Sequence, residues 1–408
     1  KPTYKLNTDS QKVRDLLASL SFELTGAQQR VLNDIRQDLE QPYPALRLVQ
    51  GDVGSGKTIL SALAMLMAVE AGLQAALMAP TELLAEQHYR NFCQWLEPLG
   101  VRVTVLTSGL KAAVKRQRIA GIASQEYDVV IGTHALFQAQ ITFAQLAVVV
   151  VDEQHRFGVH QRLSLVKKGE NQGRVPHQFI MTATPIPRTL SMTAYGDLDC
   201  SVIDELPPGR KPITTCLISQ DRRSDVMGKV LQHCMTGQQV YWVCTLVDES
   251  EALEAQAAET VAQELHDALP DLVIGLVHGR MSSTEKDCIM QDYLQKKIQV
   301  LVATTVIEVG VDVANATLMV IDNPERLGLA QLHQLRGRVG RGSQESYCFL
   351  LCKKQLSVTA KQRLTIMRDS QDGFYIAEQD LLMRGPGEVL GVRQSGLVDL
   401  KVANLIRD

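Results

Sequence analysis

The stretch Gly51-Asp-Val-Gly-Ser-Gly-Lys-Thr58 decides how the rest of the chain is interpreted. It fits the pattern Gly-x-x-x-x-Gly-Lys-Ser/Thr of loops that cradle nucleotide phosphates. Its flanks suit the pattern too, since residues 45–50 predict a short strand and residues 59–71 a helix that stops at Gly72. An ordinary glycine-rich turn is the alternative, and it is the weaker one because all eight residues and both flanks fit. A nucleoside triphosphate is therefore predicted to bind here.

The residue types of this loop have a physical purpose. Glycines let successive backbone N–H groups wrap an anion, and the N-terminus of the following helix adds partial positive charge. Lys57 is predicted to reach the β- and γ-phosphates, and the Thr58 hydroxyl to ligate Mg²⁺. The predicted nucleotide-binding residues of the loop are Gly51, Asp52, Gly54, Ser55, Gly56, Lys57 and Thr58.

Length and composition describe an ordinary globular chain. At 408 residues, and with roughly 100–200 residues per domain, two or three domains are expected. The net charge of −3 means that nucleic-acid binding would rest on local basic patches. Eight cysteines without a Cys-x-x-Cys pair argue against a structural zinc site and for reduced thiols in the cytosol. No apolar run approaches the roughly 18 residues of a membrane span, and no signal peptide is evident.

From Gly51 to about Thr184, near-continuous apolar runs alternate with helical stretches. This pattern predicts a parallel sheet that helices cover on both faces. The predicted strands are residues 74–79, 102–106, 129–131, 146–151 and 178–181. Polar residues follow each of them, at the edge where open α/β sheets bind ligands.

Two carboxylates, Asp152 and Glu153, directly follow the predicted strand 146–151. Asp152 is placed to hold Mg²⁺ through a water, and Glu153 to accept a proton from the water that attacks the γ-phosphate. A strand-end turn with two solvated acids is the alternative. Because the pair follows a phosphate loop, we favour the catalytic interpretation.

A breaker-rich stretch at residues 207–212 is the best candidate for a linker. A second α/β series follows, with predicted strands at residues 239–244, 273–277, 299–303, 317–321 and 346–351 and no phosphate loop of its own. It carries Gln334-Leu-Arg-Gly-Arg-Val-Gly-Arg341, in which Arg338 and Arg341 are predicted to share one helix face and to point at one anion. A basic, solvated helix is the alternative. The sequence thus predicts a composite site, with nucleotide in a cleft and arginine fingers from the second domain.

Opening and closing of such a cleft would move any polymer that both domains hold, one step for each cycle. Ser/Thr hydroxyls and backbone N–H groups contact phosphates regardless of base sequence, so the predicted binding is sequence-tolerant. The predicted DNA-binding residues are Thr81, Thr107, Gly109, Thr133, Arg280, Thr304 and Thr305.

The ordered motifs over about residues 20–350 resemble those of superfamily 2 helicases and translocases. They are residues 51–58, 79–82, 152–155, 182–185, 304–312 and 334–341. The resemblance implies an adenine site at Phe22 and Gln28, where Thr25 can also cap a helix and the Gln28 amide can pair with an adenine edge. It also implies further roles, in nucleotide binding for Gly310 and Asp312, in catalysis for Gln334, and in coupling hydrolysis to movement for His155, Thr182 and Thr184. The box Asp-Glu-Gln-His at 152–155 weakens the likeness to RNA helicases named after Asp-Glu-Ala-Asp.

The tail resembles the translocation motif that fork-remodelling helicases share with transcription-repair coupling factors. Residues 384–388 (Arg-Gly-Pro-Gly-Glu), 393–396 (Arg-Gln-Ser-Gly) and 152–162 favour the fork-remodelling group. In these families a helical hairpin couples ATP-driven closure to pulling on duplex DNA, which implies coupling roles for Arg363, Arg384 and Gln394. A hairpin that merely packs on the second domain is the alternative.

We therefore expect an α/β fold of two RecA-like P-loop domains, with parallel sheets covered on both faces, plus a C-terminal helical hairpin. The expected divisions are a lead-in at 1–20, an ATP-binding domain at 21–207, a second RecA-like domain at 208–355 and the hairpin at 356–408. Both ends of the chain look cut, and the wedge domain and C-terminal hook of fork-remodelling helicases are not expected within it. The fragment is predicted to keep ATP hydrolysis and to lose most branch specificity.

The expected function is that of a monomeric, bacterial, cytoplasmic enzyme that associates with the nucleoid when engaged. With ATP and Mg²⁺ it would translocate on duplex DNA and remodel forks and Holliday junctions, with single-stranded DNA-binding protein as a candidate partner. A transcription-repair translocase would need a polymerase-binding module, and a primosomal helicase would need paired cysteines. A nucleotide-dependent DNA scaffold with little turnover is the alternative from another class. The complete set of Lys57, Glu153, Arg338 and Arg341 weighs against that alternative.

Overall fold

The computed structural model describes residues 2–138, 140–152, 173–183, 198–206, 211–245, 251–304, 313–342 and 344–384. By internal contacts the chain divides into two compact units, residues 1–208 and 209–408. Seven residues with predicted roles lie outside the described ranges, namely Glu153, His155, Thr184, Thr305, Gly310, Asp312 and Gln394. None of the helices within those ranges is both long and apolar enough to cross a membrane.

The first unit is built on a seven-stranded parallel sheet in the order β3-β4-β2-β5-β6-β1-β7. Its strands are β1 (Leu46–Gly51), β2 (Gln74–Met78), β3 (Val103–Leu106), β4 (Val129–Gly132), β5 (Leu146–Asp152), β6 (His177–Thr182) and β7 (Asp199–Ile203). Its described α-helices are α1 (Gln11–Ser19), α2 (Gly26–Leu39), α3 (Lys57–Glu70), α4 (Glu82–Leu96) and α5 (Ala112–Ala123). The prediction of a parallel α/β sheet is confirmed.

Helix α3 lies at the centre of the first unit's core. Its residues 59–69 are all buried, because the helix packs against β2 and β5 and also against α1, α2 and α4. A helix that is covered on every side needs apolar residues all round, rather than along one stripe. The Ala/Leu/Met composition of α3 therefore reflects its central position, and this position fixes the phosphate loop that precedes it.

The second unit is built on a six-stranded parallel sheet in the order β10-β11-β9-β12-β13-β8. Its strands are β8 (Ile213–Ser219), β9 (Gln239–Cys244), β10 (Ile274–Val277), β11 (Val300–Ala303), β12 (Ala316–Asp322) and β13 (Ser346–Cys352). Its described α-helices are α6 (Arg223–Met235), α7 (Glu251–Ala268), α8 (Ser283–Leu294), α9 (Leu329–Arg336), α10 (Val358–Asp369) and α11 (Gly373–Arg384).

Two strands, β7 and β8, were not predicted from the sequence, and each forms one edge of its sheet. The central strands are apolar on both faces, but β7 begins with two exposed residues and β8 alternates near its start. An edge strand pairs on one side only and need not be apolar throughout. The search for continuous apolar runs therefore missed both.

Residues 1–20 were expected to be a lead-in, but they contribute to the core of the first unit. Tyr4, Leu6, Val13 and Leu16 are buried in the same cluster as α3. The backbone is fastened as well, since Val175 N–H donates to the Pro2 carbonyl at 3.0 Å. Val13 and Leu16 lie on α1, whereas Tyr4 and Leu6 precede it in a segment without regular secondary structure, so no periodic pattern marked all four as core residues.

His177, at the start of β6, ties this N-terminal segment to the sheet and is fully buried. Its Nδ1 accepts from the Ala45 N–H at 3.3 Å, and its Nε2 lies 2.8 Å from the Tyr4 carbonyl, to which it donates. Burial lowers the pKa of His177, and the hydrogen bond to Tyr4 only partly opposes that shift.

We expect the stability of the first unit to depend on pH through His177. Between the lowered folded pKa and the unfolded value of about 6.5, the unfolded chain binds more protons. The free energy of unfolding should therefore rise with pH across that window and level off above it. Urea titrations at a series of pH values should show a flatter dependence for His177→Gln than for the parent chain. The exposed His266→Gln serves as the control, and an unchanged slope in His177→Gln would contradict the assignment.

Candidate functional site

The phosphate loop turns sharply between the end of β1 at Gly51 and the start of α3 at Lys57. Gly54 and Gly56 have φ angles of +78° and +88°, a region that side chains rarely adopt. A Cβ atom on Gly56 would lie 2.2 Å from Gln28 Nε2. The backbone conformation therefore favours glycine at position 56, and any side chain there would displace the Gln28 amide.

The Lys57 ammonium is held by the loop itself. Its Nζ donates to the carbonyls of Gly51 at 2.7 Å and of Asp52 at 2.9 Å. Asp52 further shapes the turn, since its carboxylate accepts from Val53 N–H and its carbonyl from Ser55 N–H. A positive charge, a helix N-terminus and small residues thus converge at the end of β1, which suits an anionic phosphate group.

Gln28, which was predicted to read the adenine of a bound nucleotide, lies against this loop. Its amide accepts from Thr25 N–H at 2.9 Å and donates to the Ser55 carbonyl at 2.8 Å. These bonds use one N–H and one lone pair of an amide that has two of each. Phe22, the other predicted adenine contact, is 44% exposed. Gln28 therefore links the cap of α2 to the phosphate loop.

Three predicted site residues end three adjacent strands of the first sheet. Gly51 ends β1, Thr182 ends β6 and Asp152 ends β5, and the strands lie side by side in that order. The register pairs Gln50 with Thr182 and Asp152 with Met181. The parallel sheet therefore brings the phosphate loop, the first carboxylate and the coupling threonine to one half of its carboxyl edge.

The residues predicted to contact DNA follow the strands of the other half. Thr81 follows β2, Thr133 follows β4 and Thr107 follows β3, and these strands are neighbours at the far side of β5. The carboxyl edge is thus divided into two halves. The phosphate loop, Thr182 and Asp152 lie at the ends of β1, β6 and β5, and the threonines follow β2, β4 and β3.

The threonines predicted to contact DNA are less accessible than their role requires of their hydroxyl groups. The side chains of Thr107, Thr133 and Thr304 are 4%, 1% and 1% exposed. The Thr81 hydroxyl is occupied as the N-cap of α4, where it accepts from Leu84 N–H at 3.3 Å. Thr107, Thr133 and Thr304 are therefore buried at the ends of their strands, whereas Thr81 is partly exposed.

Glu82, which lies in the motif 79–82 but received no predicted role of its own, organises the loop after β3. Its carboxylate accepts from Ser108 N–H at 2.7 Å and from Gly109 N–H at 3.2 Å. A Cβ on Gly109 would lie 3.0 Å from the same carboxylate. The first residue of α4 therefore fixes the loop that carries a predicted DNA-binding residue.

In the second unit, Arg280 and Thr304 follow the adjacent strands β10 and β11. Arg280 is exposed, and Thr304 N–H donates to the Val277 carbonyl at 3.2 Å. The two residues therefore lie at one end of this sheet, as the sequence predicted for residues that follow parallel strands.

Arg338 and Arg341 were expected to share one helix face, but they do not. Helix α9 ends at Arg336 and Gly337 is its C-cap. The chain then turns, and Gly340 has a φ of +77° in a place where a Cβ would approach Ile213 to 2.8 Å. Both arginines act electrostatically on the same buried Tyr241 hydroxyl, where their charges oppose the rise in pKa that burial causes. Both arginines therefore lie beyond the end of α9, and not on a helix. Gln334 is buried on α9 itself.

Arg336, which received no predicted role, connects α9 to the helical hairpin α10–α11. It is 2% exposed, and its guanidinium donates to the carbonyls of Met367 at 2.7 Å and Ser370 at 2.8 Å. These carbonyls lie at the C-terminal end of α10, where helices leave carbonyls without intrahelical partners. Because α9 (Leu-Ala-Gln-Leu-His-Gln-Leu-Arg) mixes apolar and polar residues, no pattern in the sequence distinguished Arg336.

Arg363 makes a second connection of this kind. It donates from α10 to the carbonyls of Leu327 at 2.7 Å and Glu325 at 2.9 Å, just ahead of α9. The side chain of Asp380 on α11 also accepts from Leu329 N–H at 3.2 Å. Arg384 ends α11, and its side chain lies outside the described atoms. The hairpin is therefore hydrogen-bonded to both ends of α9.

Three family models match separate parts of the chain. They are the DEAD/DEAH box helicase over residues 25–193, the helicase conserved C-terminal domain over residues 223–343, and RecG domain 3, C-terminal, over residues 370–408. Together with two RecA-like parallel sheets and the phosphate loop at the end of β1, these matches define the class. The chain belongs to the superfamily 2 helicases.

Within this superfamily the chain is similar to the ATP-dependent DNA helicase RecG. It is 60% identical to RecG of Escherichia coli O157:H7 over 96% of its length, and 58% identical to RecG of Pasteurella multocida over 99%. A structure of RecG bound to a three-way DNA junction matches all of the chain with a TM-score of 0.84 and 42% identity. The chain spans 57% and 59% of the two relatives and 52% of the RecG chain in that structure.

Proposed function

We propose that the chain is the ATP-hydrolysing motor of a RecG-type helicase, which translocates on duplex DNA and remodels forks and Holliday junctions. The observation that carries the proposal is the divided carboxyl edge of the first sheet. Phosphate-binding and carboxylate residues end β1, β6 and β5, and the residues proposed to hold DNA follow β2, β4 and β3. With both sites on one sheet, nucleotide-driven opening and closing of the predicted cleft would change the grip on DNA.

Mg²⁺ is proposed as the resident cation of the nucleotide site. Thr58 and Asp152 offer a hydroxyl and a carboxylate, and oxygen ligands of this kind suit a small, hard cation that also takes ligands from substrate phosphates. The bound ion would neutralise charge on the transferred phosphoryl group. Lys57 would contact the same phosphates, Glu153 would accept the proton of the attacking water, and Arg338 and Arg341 would stabilise the transition-state charge.

The fork-remodelling role is preferred over that of a transcription-repair translocase for one specific reason. Residues 370–408 match the C-terminal part of RecG domain 3, and the structure that covers the whole chain is of RecG on a three-way DNA junction. We further propose that the chain works as a monomer in the bacterial cytoplasm, with single-stranded DNA-binding protein as a candidate partner. The proposed divisions remain 1–20, 21–207, 208–355 and 356–408, with the first now counted as part of the ATP-binding unit.

The test is the ATPase rate of the chain without DNA, with single-stranded DNA, with linear duplex and with a synthetic fork. We expect turnover to need Mg²⁺ and to be strongly stimulated by duplex DNA, because duplex completes the site on β2, β4 and β3. A further increase with the fork would locate branch recognition within these residues. ATP binding without turnover on any of the four would instead favour the nucleotide-dependent scaffold.

A further inference from the structure

His88 contacts the carboxylate that we propose as a Mg²⁺ ligand. Its Nε2 lies 2.8 Å from Asp152 Oδ2, although 64 residues separate the two in the sequence. The His88 and Asp152 side chains are 7% and 15% exposed. A contact at this distance, largely shielded from water, restricts the rotation of the Asp152 carboxylate.

The surroundings of the ring decide which nitrogen carries the proton. Among the described residues, His88 Nδ1 is buried and has no hydrogen-bond partner. A proton on Nδ1 would therefore leave a buried donor unsatisfied and would set the lone pair of Nε2 against an acceptor carboxylate. The tautomer with the proton on Nε2 avoids both costs, so the ring donates to Asp152. The ring is also fixed by its edge-to-face contact with Phe92, at 6.4 Å between centroids.

The position of His88 on α4 connects this contact to the loops proposed to hold DNA. Helix α4 begins where the loops proposed to hold DNA are fastened, with Thr81 as its N-cap and Glu82 bound to the backbone of Ser108 and Gly109. Less than two turns further on, the same helix donates to Asp152 at the end of β5. One rigid helix therefore touches the loops of one half of the carboxyl edge and the carboxylate of the other half.

We propose that His88 is a positioning residue that holds the Asp152 carboxylate in the orientation that binds Mg²⁺, and that α4 connects this carboxylate to the DNA-binding loops. This inference rests on the proposed function of Asp152. A side chain that orients a metal ligand from behind typically changes metal affinity or activity roughly 10–100-fold when it is replaced. The effect should appear in the Mg²⁺ requirement of nucleotide binding, which can be measured without turnover.

The decisive comparison uses two amides of different length. The terminal nitrogen of glutamine reaches the place of His88 Nε2, and that of asparagine reaches only the place of Nδ1. The Mg²⁺ concentration that half-saturates binding of a fluorescent ADP analogue should rise about tenfold or more in His88→Asn. It should return close to the parent value in His88→Gln. Glu86→Gln, at an exposed position of the same helix, is the control and should leave the Mg²⁺ requirement unchanged.

We also expect substitutions of His88 to change how strongly duplex DNA stimulates ATP turnover. Because α4 begins at the DNA-binding loops, His88→Asn should lower the ratio of duplex-stimulated to basal turnover, and His88→Gln should restore it. Thermal unfolding of each variant shows whether a general loss of structure explains the result. A defect of equal size in the two amide variants, at equal stability, would contradict positioning through Nε2.

Asp152→Asn separates this inference from the proposed function. If Asp152→Asn leaves the Mg²⁺ requirement unchanged, the proposed metal site is wrong and the role of His88 is wrong with it. If Asp152→Asn raises the requirement and His88→Asn does not, only the inference about His88 is overturned. We expect Asp152→Asn and His88→Asn each to raise the Mg²⁺ requirement. The double variant should need no more Mg²⁺ than Asp152→Asn alone, because the two side chains act as one unit.

Discussion

Lys57→Ala is expected to reduce ATP turnover by roughly 10²–10³-fold or more, because it removes a positive charge aimed at the phosphates in the transition state. The Lys57 ammonium donates to groups of its own loop, the carbonyls of Gly51 and Asp52 and the Ser55 hydroxyl. The substitution should therefore alter the site more than the fold. Steady-state kcat, compared with thermal unfolding of the same variant, separates the two effects.

The control for this prediction is Lys5→Ala, at an exposed position in the N-terminal segment. It removes the same charge from the same unit at a place that is unrelated to the phosphate loop, so turnover should remain at the parent level. Near-normal kcat in Lys57→Ala would show that the loop does not serve hydrolysis in the proposed way.

Arg338→Ala should produce the second large effect, a fall in kcat of roughly 10³–10⁵-fold, as is typical when an arginine finger is removed. The affinity for ATP should change little, because a finger acts mainly on charge that develops in the transition state. Arg341→Ala should behave similarly, since the turn after α9 keeps both arginines near the same buried Tyr241. Arg338→Lys should restore little, because an ammonium lacks the planar fork of a guanidinium.

Arg368→Ala is the matched control for the arginine predictions. Its guanidinium is about half exposed and pairs with the neighbouring Asp369, and such surface pairs contribute little. Fluorescent-nucleotide binding and single-turnover hydrolysis should be measured on all four arginine variants. Loss of nucleotide binding in Arg338→Ala, instead of loss of rate, would contradict the finger assignment.

The central part of the fold was predictable from the sequence because parallel strands buried on both faces produce continuous apolar runs. The phosphate loop was predictable because all of its determinants lie within residues 51–58. The edge strands β7 and β8 were missed, since pairing on one side relaxes the apolar pattern. Arg338 and Arg341 were placed on a helix because their spacing fits one, but Gly337 and Gly340 end the helix and turn the chain.

The residues that connect the site to its surroundings were largely invisible in the sequence. His88 reaches Asp152 across 64 residues, Arg336 reaches Met367 across 31, and Glu82 reaches Ser108 across 26. None of these pairs forms a motif, because each contact depends on how the helices pack on the sheets. A histidine on the buried face of α4 was one visible signal.

The most direct test of the account is displacement of a third DNA strand from a linear duplex. We expect the chain, with ATP and Mg²⁺, to move along the duplex and to release the third strand. Glu153→Gln should bind the same DNA and release nothing, because it lacks the base that activates water. Absence of displacement by the parent chain, under conditions where duplex DNA stimulates its ATPase, would contradict the claim that hydrolysis drives movement on duplex DNA.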